Sequence, residues 1–172
     1  MKKRMLCALL AISQGIGFDV IRETLRTFRG VEHRIEHVCE RSGVTYINDS
    51  KGTNPDSTIK AVEAMVKPTV LILGGFDKHS EFDGVFAVCP GKIRAFVVLG
   101  ATKEKILESA RRAGMGELCH TAGTFAEAVD LARDLARPGD AVLLSPACAS
   151  WDMFDNYEQR GRVFKDIVRA YK

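Results

Sequence analysis

No stretch of the 172 residues is apolar for long enough to span a bilayer, and neither sign of charge dominates. Lys and Arg total 25 against 22 Asp and Glu, a formal net charge of +3. That excess is too mild for a nucleic-acid partner, and the one basic block, Lys2-Lys3-Arg4, is short. Anionic small molecules stay in play. The five cysteines, Cys7, Cys39, Cys89, Cys119 and Cys148, are odd in number and far apart, with no C-x-x-C. This argues against a disulfide framework or a zinc site and for free thiols in a reducing cytoplasm. No G-x-x-x-x-G-K-[ST] occurs, and Gly74-Gly75 does not complete G-x-G-x-x-G, so a P-loop and a dinucleotide fingerprint are both absent. Lys2-Lys3-Arg4 followed by the apolar residues 5–12 imitates a signal peptide, but the run is short and Ser13-Gln14-Gly15 is no cleavage site.

What is present reads as alternating elements. Residues 5–12 form an Ala/Leu-rich helix ending near Gly15-Ile16-Gly17. Asp19 is the expected cap of a second helix, with Val20, Ile21, Thr24, Leu25 and Phe28 at helical spacing and Gly30 as its stop. Strands are expected over 33–38 and 44–48, around a turn at Arg41-Ser42-Gly43. Asn54-Pro55 is a strong helix start. Apolar strands follow at 69–73, 95–99 and 141–144, with a short strand at 118–121, separated by helices at 103–113 and from Thr124 to Ala136. Thr124 and Glu127 have capping-box spacing. Phe154, Tyr157, Gly161, Phe164 and Val168 mark one face of a terminal helix. Such alternation predicts an α/β fold, a Rossmann-like doubly wound and mostly parallel sheet with helices on both faces. The single domain boundary expected lies near Gly30.

In such sheets ligands bind beyond the carboxyl ends of the strands. Three loops emerge there: Asn48-Asp49-Ser50-Lys51-Gly52-Thr53-Asn54, Gly74-Gly75-Phe76-Asp77-Lys78, and Ser145-Pro146-Ala147-Cys148-Ala149-Ser150. Lysines and short hydroxyl donors near helix starts suit anion recognition, and Asp49 could hold a ribose hydroxyl, a magnesium ion or an ammonium group. Each residue also has a plain reading: Asn54 as a helix cap, Gly74-Gly75 as a tight turn, a lysine as solvated surface. His33 and His37 stand four apart on a strand, too few for a metal set, and no metal site is expected. Cys148 near a helix start reads as small-residue packing, not as an activated thiol.

His33-Arg34, the 48–54 loop and 144–150, followed by Asp152, Phe154, Glu158-Gln159-Arg160-Gly161 and Phe164, together resemble the C-terminal domain of the Mur ligases. The 48–54 loop is most similar to the branch that adds D-glutamate to UDP-N-acetylmuramoyl-L-alanine. The resemblance runs from about Gly30 to the end. It implies that residues 31–172 are the amino-acid-binding domain and that residues 1–30 are closing helices of the central ATPase domain. It also implies that the UDP-binding and P-loop-bearing parts lie outside this chain, which would leave it inactive alone.

The activity implied is ATP-dependent amide ligation in peptidoglycan precursor synthesis, in the cytoplasm. ATP and Mg2+ are bound mainly by the central domain, and UDP-N-acetylmuramoyl-L-alanine is reached through the missing domains. Carried over by position, Arg34, Asn48, Asp49 and Lys51 fall on the nucleotide side, while Thr53, Lys78, Ser150 and Tyr157 hold D-glutamate. Lys51 and Lys78 are the residues expected to act in catalysis. Three departures stand out: Gly52 for a common alanine, expected only to loosen the loop; Tyr157 for a common phenylalanine; and Phe76-Asp77 before Lys78. The alternatives are a stand-alone anion-binding module and the equivalent domain of a sister muramyl or folylpolyglutamate ligase.

Overall fold

The structure is a computed structural model that describes residues 2–28, 30–77 and 79–172. The chain divides into two compact units, Met1–Gly30 and Val31–Lys172. In the first, α1 (Lys2–Ser13) and α2 (Phe18–Thr27) form a helical pair. Gly17, in extended conformation, is the residue before α2, and Asp19 lies in its first turn. Asp19 therefore pairs with Arg22 at 3.2 Å instead of capping the helix. Leu6, Leu9, Leu10, Phe18 and Val20 are exposed.

The second unit carries β1 (Glu36–Arg41), β2 (Val44–Asn48), α3 (Pro55–Ala64), β3 (Thr69–Gly74), α4 (Asp83–Ala87) and β4 (Ile93–Leu99). It continues with α5 (Lys103–Arg112), β5 (Cys119–Thr121), α6 (Phe125–Leu135), β6 (Ala141–Leu144) and α7 (Tyr157–Ala170). The sheet order is β1-β2-β6-β3-β4-β5. β1 pairs antiparallel with β2, and every other pairing is parallel. This is the expected α/β architecture.

Alternation sorts the strands' side chains onto two cores. Leu71, Leu73, Phe96, Val98 and Leu143 pack with α3, α4 and α5 on one face. Val70, Ile72, Val97, Val142 and Tyr46 pack with α6 and α7 on the other. The period-2 geometry of strands makes this division automatic. Helix starts follow the local chemistry. Asn54 Oδ1 accepts from the Ser57 N–H at 2.9 Å, with Pro55 in the first turn. Thr124 and Glu127 complete a reciprocal capping box. Asn156 caps α7 by accepting from the Gln159 N–H, so Phe154 lies before the helix instead of on it.

Two local expectations change. The strand expected from 33 starts only at Glu36, because His33 and Ile35 both take positive φ, 62° and 46°. The run 31–35 is a folded loop, not extended chain. The short α4 has too few residues to leave a periodic signal.

Asp140, just before β6, takes Arg94 Nε at 2.5 Å and Nη2 at 3.0 Å, and the Arg137 N–H at 2.9 Å. Burial pushes its carboxyl up, but these donors outweigh burial and hold it below the usual carboxylate value. A carboxyl depressed in the fold stabilises above its unfolded pKa and loses that stabilisation as pH falls through the lower folded value. Asp140→Asn is expected to cost about 2 kcal/mol at pH 7. The gap to the native chain should close below about pH 4, as read by urea unfolding at pH 7 and pH 3.

Candidate functional site

β6 is inserted between β2 and β3. The chain leaving β6 is therefore flanked at one sheet edge by the chains leaving β2 and β3. The three loops singled out in the sequence meet for that topological reason.

The loop after β2 faces inward more than outward. Asn48 is fully buried, and its Nδ2 donates to Glu36 Oε2 and to His33 Nδ1, both at 2.9 Å. Its Oδ1 accepts from the Ser50 N–H at 3.1 Å. An amide donor on His33 Nδ1 assigns the imidazole proton to Nε2, and burial lowers the pKa of this ring. Asp49 is also buried: Oδ1 accepts from the Ile35 N–H at 3.2 Å and Oδ2 from Ser145 Oγ at 2.7 Å. Burial raises its carboxyl above the usual value, with the Ser145 hydroxyl opposing. Gly52 makes this inward pose feasible. A Cβ there would meet Asp49 Oδ2 at 2.6 Å and Ser145 Oγ at 2.7 Å. The missing side chain therefore does more than loosen the loop.

The loops after β3 and β6 are knitted to each other. The Gly74 N–H donates to the Pro146 carbonyl at 2.9 Å. Phe76 and Ala149 exchange both backbone bonds, at 2.9 and 3.0 Å. Asp77 accepts from the Ser80 N–H at 2.7 Å and from Lys105 Nζ at 3.0 Å, which braces the turn that follows. Lys78 lies outside the described residues. Ser150 is buried, and its carbonyl accepts from the Met153 and Phe154 N–H groups. Next to it, Trp151, Asp152, Met153, Phe154, Asp155 and Gln159 line an open cavity of about 420 Å3.

Arg160 joins the two sides. Only 1% exposed, it donates from Nε to Ser50 Oγ at 3.0 Å, and from Nη2 to the carbonyls of Ser50 and Cys148 at 2.9 and 3.2 Å. Its Nη1 has no hydrogen-bond partner. Desolvation lowers its pKa to about 10. Among the described residues no carboxylate forms an ion pair with it. Lys51 is also without an ion pair among them and donates to the Tyr157 hydroxyl at 2.7 Å.

The structure thus brings Asn48, Asp49, Lys51, Thr53, Ser150 and Tyr157 to one edge. Arg34 is exposed and Thr53 half-buried. Glu32, His33 and Glu36 lie close enough to suggest a metal cluster, but Lys165 Nζ is bonded to both carboxylates. Cys148 is packing: burial pushes its thiol up to about 12. Sequence pattern alone assigns no role to Arg160 or Ser145. The signal for Arg160 was available, since it repeats at helical spacing with the buried Phe164 and Val168.

The family model described as "Mur ligase, glutamate ligase domain" matches residues 33–148. The UDP-N-acetylmuramoylalanine–D-glutamate ligase of Lachnospira eligens is 51% identical over 164 residues, covering 94% of this chain and 36% of that protein. The protein of the same name from Thermoanaerobacter pseudethanolicus is 54% identical over 160 residues, 92% of this chain and 35% of its own. The chain therefore spans about a third of the length of these relatives. Among solved structures, UDP-N-acetylmuramate-alanine ligase from Thermotoga maritima superposes with a TM-score of 0.64 at 16% identity, over 95% of this chain and 36% of that one. E. coli FolC, complexed with DHPP and ADP, gives 0.63 at 20%, over 95% and 37%. At these identities the likeness speaks for the fold alone.

Asp49 generates a test. A carboxyl whose folded pKa is raised favours the fold fully only below its unfolded pKa, and that contribution is lost as pH rises through the folded value. Asp49→Asn is expected to raise stability at pH 7 by about 1 kcal/mol, because a buried charge with no ion pair among the described residues, eased only by the Arg34 field, disappears. The native and variant chains should converge as pH falls toward about 4, read by thermal or urea unfolding. A variant less stable at pH 7 would show that the two accepted hydrogen bonds outweigh the burial cost.

Proposed function

Because this chain belongs to the Mur ligase family, as its glutamate ligase domain, we propose that it is the amino-acid-holding part of an ATP-dependent ligase joining D-glutamate to UDP-N-acetylmuramoyl-L-alanine. The observation that carries this reading is the convergence of the 48–54 and 144–150 loops, locked together through Arg160, in a chain about half identical to ligases of that name.

In the proposed reaction ATP converts the terminal carboxylate of the precursor to an acyl phosphate, and the D-glutamate amine displaces phosphate. Nothing in these 172 residues is a P-loop, so the phosphoryl step falls to the rest of the longer protein. The first unit, residues 1–30, is proposed to close that protein's ATPase domain. The described residues do not suit Mg2+. Both Asp49 oxygens already accept hydrogen bonds, and Glu32 and Glu36 are bonded to Lys165. No step is assigned to the ion here.

This domain's contribution is positioning. Lys78 and Ser150 grip the carboxylates of D-glutamate, with Thr53 and the Tyr157 ring beside them. Arg34 and Lys51 face the nucleotide, while Asp49, which the resemblance assigns to the same side, points inward and braces the loop. Asn48 acts indirectly, by shaping His33 and the backbone of the loop, since its side chain is buried. Lys51 and Lys78 supply positive charge where negative charge develops on the tetrahedral intermediate. No described helix is long and apolar enough to cross a membrane. The chemistry is proposed to run in the cytoplasm, where ATP is available.

The chain alone, given ATP, D-glutamate and UDP-N-acetylmuramoyl-L-alanine, is expected to release no phosphate. Joined to the remaining part of the Lachnospira eligens relative, it should release phosphate in a D-glutamate-dependent manner, and Lys78→Ala should lower kcat/KM about a hundredfold. Turnover by the chain alone would overturn the proposed division of labour. Acceptance of L-alanine or L-lysine in place of D-glutamate would reassign it to a sister ligase. Tight calorimetric binding of one anion, without turnover by the joined protein, would favour a capture module.

A further inference from the structure

Tyr157 opens α7, and its side chain reaches back over the loop that follows β2. Lys51 Nζ donates to its hydroxyl at 2.7 Å and lies 4.6 Å from its ring centroid. The tyrosine is itself held firmly. Its ring meets His33 edge-on, with centroids 5.9 Å apart at 85°, and its carbonyl accepts from Ser50 Oγ at 2.8 Å. Several lysines of this unit are spent on carboxylates, Lys165 on Glu32 and Glu36, Lys105 on Asp77 and Lys60 on Glu63, while Lys92 is held by the backbone carbonyls of Val62, Glu63 and Met65. Lys51 is tied to a neutral oxygen instead.

We propose that the Tyr157 hydroxyl is a positioning group that presets the Lys51 ammonium at the site while leaving its charge unspent. The proposal rests on the reading of Lys51 as a lysine that meets an anionic ligand. A carboxylate would fix the ammonium equally well, but it would cancel the field and have to be displaced by an incoming phosphate or carboxylate. A phenol oxygen fixes the geometry and cancels little. Lysine carries several rotatable bonds, so holding it beforehand removes an ordering cost from ligand binding. A phenylalanine here would keep the ring under the cation but drop the directional bond. Tyr157 thereby supplies a directional contact that a phenylalanine would not. The neighbouring Glu158 also bears on this group. Its carboxyl is held low, first by the Tyr157 hydroxyl and further by the Lys51 charge, so the phenol lies between a cation and an anion.

The test uses the whole chain with 15N-labelled lysine side chains, the Lys51 ammonium signal being assigned with Lys51→Arg. The native chain is expected to show a sharp Lys51 ammonium signal. Tyr157→Phe should broaden it beyond detection while the backbone spectrum stays dispersed, and Glu158→Gln should leave it sharp. ADP is the binding probe: its dissociation constant should rise about fivefold in Tyr157→Phe, and Tyr157→Phe should add nothing on top of Lys51→Met. A Lys51 signal as sharp in Tyr157→Phe as in the native chain would overturn the proposal. So would a lost signal with unchanged ADP affinity. Absence of ADP binding by the native chain would count against the nucleotide-side reading of Lys51, and the ammonium signal would still decide whether Tyr157 holds it.

Discussion

A guanidinium removed from water must find its hydrogen bonds where it stands, and the way Arg160 meets that demand shapes the whole sheet edge. Its donors reach Ser50 on one side and the Cys148 carbonyl on the other. The loops after β2 and β6 cannot separate without stranding a charge in a dry interior, which is far costlier than losing a surface contact. Ser50 completes the tie by accepting from Arg160 Nε and donating to the Tyr157 carbonyl. One turn of α7 thus serves as the template for both loops. Gly161, the next residue, leaves the room that the His33 ring occupies, since a Cβ there would collide with it.

The charges at this edge differ in kind from the ion pairs that fasten the rest of the unit. Arg94 with Asp140, Lys105 with Asp77, and Lys165 with Glu32 and Glu36 are neutralised pairs that fasten strands, turns and the 31–36 loop. Arg160, Lys51 and Asp49 are each held by neutral partners: backbone carbonyls and a serine, a phenol, and a hydroxyl with an N–H. Neutral partners fix position without quenching the field, so the edge keeps an electrostatic potential that an ion pair would have spent. Asp49 is drawn inward by Ser145 and the Ile35 N–H.

The layer architecture was legible because it rests on apolar runs, which 70–73, 95–99 and 141–144 display without interruption. The helix starts at Asn54 and Thr124 were legible because capping is local chemistry. The 31–35 loop was not, because the left-handed backbone of His33 and Ile35 is imposed by distant partners: Asn48 on the His33 ring and Asp49 on the Ile35 N–H. Ile35, being β-branched, is the residue type least suited to such a conformation. The same limit hid the inward pose of Asp49. Its identity suggested a ligand, while its direction depends on Ser145, 96 positions away, and on a glycine at 52 whose meaning appears only when the carboxylate lies beside it.

Positioning chemistry and loop rigidity are linked. In the proposed ligation the amine of a bound amino acid must be delivered to an acyl phosphate built outside these 172 residues, and errors of about an ångström there are expensive. A domain confined to this task gains nothing from a mobile lid of its own. It gains from loops already braced in the free state, as the Phe76–Ala149 bridge, the Asp77–Lys105 pair and the Arg160 tie brace these. The motion needed to bring the two reactants together can then be a displacement of whole units, with the site's internal geometry carried along unchanged.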